Sequence, residues 1–276
     1  MPQTLTDIKT LLAAHGLHPK KRFGQNFLHD ANQMARIMAA ADIRPGDMVL
    51  EVGAGTGALS ERLLEAGAKL VAVEIDNHLE PILHERLVER FGDRVTLVMA
   101  DVLASKGVIE PRVIQAMGGA SASFKLIANL PYNIASPLLV TLALDHPAMT
   151  RAVVMVQREV ADRLVAGPGG KDFGPLGIIV QVMMRIERVG VLSPGCFWPQ
   201  PKVDSTILAL TRREAPLAPD PHGFARFVHR LFNQRRKQIG TTLGRDTPLP
   251  EGISAQARPE QLTLEQLIAL AGSSGC

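Results

Sequence analysis

Four consecutive residues, Asn129-Leu130-Pro131-Tyr132, combine a side-chain amide, a stiff turn and the only tyrosine of the chain. Those types in that order suit one problem, the alkylation of an exocyclic amine on a nucleobase. The lone pair of an adenine amino group is delocalised into the ring, so the nitrogen is a poor nucleophile. Acceptors on both of its N–H bonds orient the nitrogen so that the lone pair points at an incoming methyl. The Asn129 side-chain oxygen and a backbone carbonyl of Leu130 or Pro131 can supply those acceptors, and Tyr132 can stack on a base drawn out of its helix. No strong general base is needed, because the nitrogen becomes acidic as it is alkylated. Positioning then dominates the rate. A plain proline turn without a ligand is the competing reading of the same four residues.

A second chemical element lies upstream. Glu51-Val52-Gly53-Ala54-Gly55-Thr56-Gly57 is a glycine-rich turn, and Gly53 and Gly55 let the backbone approach a ligand. The spacing Gly53-x-Gly55-x-x-Ala58 also fits the dinucleotide fingerprint. Glu74 is placed to accept hydrogen bonds from ribose hydroxyls, which NAD and S-adenosylmethionine share, so it does not separate the two. Asp101 can accept from the amino group of a cofactor adenine or simply cap a helix.

These residues need a scaffold, and the chain supplies an alternation. Strands are predicted over 47–52, 69–74, 94–99, 124–130 and 152–156, with helices over 56–65, 77–91, 135–144 and 158–166 between them. Such alternation predicts an α/β domain with a parallel sheet covered on both faces, which puts the ends of the strands at the ligand. Helical spacing also marks 3–15 and 30–41, and two extended segments are predicted between 186 and 212. Prolines at 194, 199, 201, 216, 219 and 221 mark loops and a boundary near 213. The predicted division is therefore 1–213, with 1–19 as an N-terminal extension of no assigned role, and a small all-helical 214–276.

Charge follows that division. The net charge of +3 is unevenly spread: 221–245 holds six Lys and Arg and no acid. A block of that kind seeks an anionic partner, nucleic acid first, with a solvated helix face as the alternative. At 46% apolar and 21% charged residues, the 276-residue chain is not disordered as a whole. It has no apolar run of the roughly 18–20 residues a membrane helix needs. Its first residues do not read as a secretory leader. Two cysteines make no disulfide framework, the eight histidines have no metal-ligand spacing, and the expected compartment is the reducing cytoplasm.

Taken as an ordered set, the motifs resemble those of the small-subunit ribosomal RNA adenine N6,N6-dimethyltransferases. The similarity runs from about Lys21 to about Leu243. It is carried by Arg22-Phe23-Gly24-Gln25-Asn26-Phe27-Leu28, the glycine turn, Val73-Glu74-Ile75-Asp76, Asp101-Val102-Leu103, Asn129–Tyr132, Gln157–Leu164, Phe197–Ser205 and Leu231–Lys237. The resemblance implies a Rossmann-like methyltransferase sheet with S-adenosylmethionine as donor. It implies two adjacent adenosines near the 3′ end of small-subunit rRNA as substrate, each dimethylated at N6 during late assembly of the subunit. Carried over by motif, Asn26 and Leu28 lie against the cofactor with Gln25 nearby, and Gly53 and Gly55 line its turn. Glu74 takes the ribose, Asp101 the adenine amine and Asn129 the reacting end, while Phe197 forms the second face of an aromatic clamp opposite Tyr132. Lys20, Lys21, Arg22, Lys202, Arg235, Arg236 and Lys237 become the phosphate contacts, which give affinity and salt dependence without base specificity. A monomer is expected, without metal and without membrane.

The sequence departs from the family pattern at Phe173, where relatives often carry Tyr, and at Gln238, where Thr is common. Three alternatives stand beside this reading. They are a dimethyltransferase of the erythromycin-resistance type acting on large-subunit rRNA, a ribosome-assembly factor that binds without needing catalysis, and an NAD-dependent enzyme.

Overall fold

The computed structural model describes residues 3–244 and 247–273; Arg245 of the basic block and Cys276 lie outside the described residues. The chain divides into two compact units, Met1–Arg158 with Glu187–Thr211, and Glu159–Ile186 with Arg212–Cys276.

The first unit is built on a seven-stranded sheet. Its strands are β1 (Met48–Val52), β2 (Lys69–Glu74), β3 (Val95–Met99), β4 (Phe124–Asn129), β5 (Met149–Gln157), β6 (Met184–Leu192) and β7 (Ser205–Arg212). They lie in the order β3-β2-β1-β4-β5-β7-β6. Strands β1 to β5 run parallel, with Leu50 opposite Val71 and Leu126, and β7 runs antiparallel to β5. The strand order turns back between β1 and β4, and in open parallel sheets that point opens a crevice at the carboxyl ends of the strands. The central strands are largely buried on both faces, which is why they are mostly apolar, broken by Glu51 in β1 and by Lys125 and Asn129 in β4. Helices Leu5–Ala14, Ala31–Ala41 and Ala58–Glu65 contribute Ile8, Leu12, Met34, Ile37, Leu63 and Leu64 to one buried cluster.

Two refinements arise in this unit. The helix predicted over 77–91 spans those residues but changes type along its length: a 3₁₀ turn (Asn77–Leu79) leads into an α segment starting Glu80-Pro81, then a π stretch (His84–Val88) and a last α turn (Glu89–Phe91). Across that stretch Arg86 and Arg90 both pair with the buried Glu61. A short helix, Pro111–Ala116, and a small hairpin, Leu103–Ser105 with Val108–Ile109, were not anticipated.

The second unit is helical. Pro175–Met183 packs against Pro221–Phe232, and Phe173 meets Phe232 edge to face at 6.1 Å. The family-atypical Phe173 is thus a buried packing residue. The backbone N–H of Arg213 donates to Met183, and its Nε to the Gln181 carbonyl. These bonds draw 159–186 into a unit that the sequence reading began only at 214. No described helix is long and apolar enough to cross a membrane. Among the described residues no group of His, Cys, Asp and Glu is disposed to hold a metal ion.

Candidate active site

Every loop that the sequence singled out in the first unit leaves the same edge of the sheet. A cavity of about 260 Å³ opens there, lined by the segment 22–28, the turn after β1, Glu74 after β2, Asp101 after β3 and Asn129–Ile134 after β4.

The turn after β1 holds Gly53 at φ +81° and Gly55 at φ +60°, where a side chain would be strained. Space demands glycine as well: a Cβ on Gly55 would sit 3.1 Å from the Phe27 ring, and one on Gly53 would sit 3.3 Å from Pro131. The N–H of Gly55 donates to Glu74 at 2.9 Å, and the N–H groups of Ile75 and Asp76 donate to its other oxygen at 3.0 and 2.9 Å. Burial pushes the Glu74 carboxyl above its usual range, against the pull of those three donors. Behind the turn lies Glu51, fully buried, accepting from Ser60 Oγ at 2.5 Å. Burial, with the nearby Glu74 charge adding to it, pushes Glu51 up to about 8.

The segment 20–28 is tied down at its start. Asp76, 3% exposed, accepts from Lys20 Nζ at 2.7 Å and from Gln25 Nε2 at 3.0 Å. Burial would raise the Asp76 carboxyl, but those two donors, together with the backbone and ring of His78, outweigh it and hold it below the usual range. Lys20 is therefore engaged within the protein, whereas Lys21, Arg22 and Lys202 are exposed. Arg22 lies over the Phe23 ring at 4.5 Å. In the second unit Arg235 pairs with Glu260 and donates to the carbonyls of Gly170 and Lys171, while Arg236 and Lys237 are exposed.

After β4, the amide nitrogen of Asn129 donates to the backbone carbonyl of Asn26 at 3.0 Å. A carbonyl only accepts, so the amide is turned with Nδ2 towards Asn26 and Oδ1 away from it. The Pro131 carbonyl is taken by the N–H groups of Ile134 and Ala135 at 3.1 and 3.2 Å. The Tyr132 hydroxyl shares a hydrogen bond of 2.9 Å with Ser205 Oγ, which fixes a half-buried ring on the cavity wall. Burial raises the phenol further above its already high range, so it stays protonated.

One expected member is not there. Phe197 is 1% exposed and does not line the cavity; it sits in the core, opposite Leu28 in a two-stranded pairing of Phe27–Leu28 with Phe197–Trp198. A ring enclosed on all sides cannot stack on an incoming base. Its place in the site is indirect, as backing for Leu28. Asp101 is exposed at the cavity, and its Oδ1 accepts from the Leu103 N–H at 2.9 Å, a turn rather than a helix cap. Residues that sequence reasoning did not select are Glu51, Asp76, Thr56 and Ser205. Asp76 carried a usable signal, an acid two positions after Glu74 at a strand end; the others had none.

The donor set fits S-adenosylmethionine. Glu74 and Asp101 are acceptors at two adjacent strand ends, and the lining contains three carboxylic acids and one basic side chain, Arg22. Two of those acids, Glu51 and Glu74, are buried close to the glycine turn. A dinucleotide diphosphate would meet carboxyl oxygens there with Arg22 as the one basic side chain of the lining, whereas a ligand that donates hydrogen bonds and carries positive charge is favoured.

The model of the ribosomal RNA adenine dimethylase family matches residues 16–270 of the chain. A protein of Streptomyces griseus subsp. griseus named ribosomal RNA small subunit methyltransferase A is 41% identical over 96% of this chain and 92% of its own length. One of the same name from Thermotoga maritima is 37% identical over 96% and 89%. Among solved structures, a dimethyladenosine transferase from Plasmodium falciparum superposes with a TM-score of 0.74 at 23% identity, covering 90% of this chain and 98% of that one. The 23S rRNA methyltransferase ErmE superposes with 0.67 at 26% identity, covering 91% and 100%.

Proposed function

The chain belongs to the ribosomal RNA adenine dimethylase family, and from that premise we propose that it dimethylates N6 of two adjacent adenosines near the 3′ end of small-subunit rRNA, on a late assembly intermediate in the cytoplasm. The small-subunit assignment is supported by the names of relatives 37–41% identical over nearly the whole chain, against 26% for the large-subunit enzyme of like fold.

S-adenosylmethionine is the donor and, when bound, supplies an electrophilic methyl group on a sulfonium. Glu74 would accept from its ribose hydroxyls and Asp101 from its adenine amine, with Gln25, Asn26, Leu28, Gly53 and Gly55 lining the place it would occupy. Glu51 adds a carboxyl to the cavity.

The observation that carries the mechanism is the Asn26–Asn129 hydrogen bond. With Nδ2 held by a backbone carbonyl, Oδ1 is the end of the amide presented as an acceptor to the substrate amino group. The second acceptor is the Leu130 carbonyl, because two backbone N–H groups already occupy that of Pro131. Two acceptors set the amine so that its lone pair faces the methyl, and the protein contributes mainly by position. Tyr132, with its hydroxyl anchored on Ser205, offers its ring to the target adenine. Lys21, Arg22, Lys202, Arg236 and Lys237 contact phosphates; Lys20 and Arg235 fasten the protein's own loops.

The test is methyl transfer from labelled S-adenosylmethionine into small subunits purified from cells lacking the activity, with large subunits and Asn129→Ala alongside. Label recovered as N6,N6-dimethyladenosine at two adjacent sites near the 3′ end, absent from large subunits and from the variant, is the expected result. Label in large subunits alone overturns the substrate assignment.

A further inference from the structure

We propose that Gln3, in the N-terminal extension, is a positioning residue for the cofactor turn, acting through a two-point clamp on Thr56. Gln3 is 5% exposed, a burial unusual for a glutamine at the edge of a chain. Its amide is used at both ends on one residue 53 positions away: Nε2 donates to the Thr56 carbonyl at 3.1 Å, and Oε1 accepts from Thr56 Oγ1 at 2.8 Å. Thr56 is itself 2% exposed and lines the cavity. It stands between Gly55, whose N–H holds Glu74, and Gly57, the residue that opens helix Ala58–Glu65.

Apart from the Gln3 clamp, the turn is held through its backbone: the N–H groups of Gly53 and Ala54 donate to the Val73 carbonyl and that of Gly55 to Glu74. Its glycines at 53, 55 and 57 all lie at positive φ and carry no side chains of their own. Gln3 in turn is fixed by the helix that follows it. Thr4 and Asp7 form a reciprocal capping box, and Ile8 and Leu12 are buried in the core. The extension thus reaches the cofactor turn through a continuous path: a helix anchored by Ile8 and Leu12, its capped start, the glutamine clamp, the glycine turn and Glu74. This inference rests on the dimethyltransferase reading and adds a residue to its cofactor machinery.

Four variants of the full chain, Gln3→Met, Asp7→Ala, Thr56→Val and the Gln3→Met/Thr56→Val pair, test it by calorimetric titration with S-adenosylmethionine and S-adenosylhomocysteine, together with thermal unfolding and steady-state kinetics. Gln3→Met keeps the volume and removes both hydrogen bonds. Cofactor and product affinity should both fall about 5- to 20-fold, the loss of one or two net hydrogen bonds. The KM for cofactor should rise in step, while kcat at saturation changes by less than about twofold. Asp7→Ala breaks the capping box on the same helix without touching Thr56, and should lower Tm while costing less cofactor affinity than Gln3→Met. Thr56→Val combined with Gln3→Met should weaken binding no more than the weaker-binding single variant, since both remove the same clamp. The proposal is overturned by wild-type affinity in Gln3→Met, by an equal loss in Asp7→Ala, or by additive losses in the double variant. Wild-type protein that binds neither ligand overturns this inference and the functional reading together, whereas a failure confined to the variants leaves that reading in place.

Discussion

The two halves of the cavity are built on different physics. On the donor side, three carboxyls stand at the ends of β1, β2 and β3: Glu74 is held by backbone N–H groups and Glu51 by the Ser60 hydroxyl, both pushed up by burial, and Asp101 is exposed. On the base side, after β4, there is no carboxyl; a half-exposed amide, a proline turn and an anchored phenol stand in its place. The donor side suits a cationic ligand of fixed shape through charge and close approach. The base side suits a neutral heterocycle through acceptors and a ring face. Substitutions should therefore separate the two, and each failure to do so blurs the division.

The largest effect is expected on the base side. Asn129→Ala removes the oriented acceptor and should lower turnover by about 100-fold or more, in line with misplacement of a reacting group; single-turnover transfer into small subunits measures it. Glu51→Gln probes the donor side through pH. The folded carboxyl, near 8, holds its proton where the unfolded chain, near 4.5, has lost it. The folded state binds more protons between those values, so stability falls as pH rises through that window and levels off above it. Removing the titration should flatten the Tm profile between pH 5 and 8 and stabilise the protein by on the order of 3 kcal/mol at pH 7. An unchanged slope would show that Glu51 does not titrate there.

Glu74→Ala should weaken cofactor binding by roughly 1.5–3 kcal/mol, the worth of a charge-assisted hydrogen bond, and leave RNA affinity alone. Tyr132→Ala should do the reverse, costing roughly 1–3 kcal/mol in base stacking with the cofactor still bound. Equal losses of both ligands in either variant would mean that the halves are not independent. The smallest effect concerns the cations of the second unit. Arg236→Ala with Lys237→Ala should make the dependence of log affinity on log salt shallower by about 1.4 to 1.8 for two phosphates. Arg235→Ala should lower thermal stability through loss of its Glu260 and backbone partners and barely move that slope.

Legibility in the sequence followed the same physics. Strands β1 to β5 could be read because each alternates with a helix and the central ones are buried on both faces. Helix Pro175–Met183 could not, since Ile178, Ile179, Val180 and Val182 suit a strand as well. Gly177 within it is explained only by contact: a Cβ there would come within 2.2 Å of the Arg163 carbonyl. Among site residues, Asn129, Glu74 and the glycine turn announced themselves because their types are tied to chemistry at strand ends. Lys20, Arg235 and Phe197 misled, because a sequence shows a charge or a ring but not what encloses it. Gln3 was invisible, since nothing local links it to a threonine 53 positions on.

In the proposed mechanism, the pair of acceptors after β4 also keeps count. An unmodified adenine amine brings two N–H bonds to Asn129 and Leu130, the singly methylated amine brings one, and the dimethylated amine brings none. Each transfer therefore strips away part of the grip that made it possible, and the finished base leaves two polar oxygens without partners, an expensive state away from water. The arrangement works as a ratchet with two teeth: it advances while protons remain on the nitrogen, then loses its hold on the base it has completed.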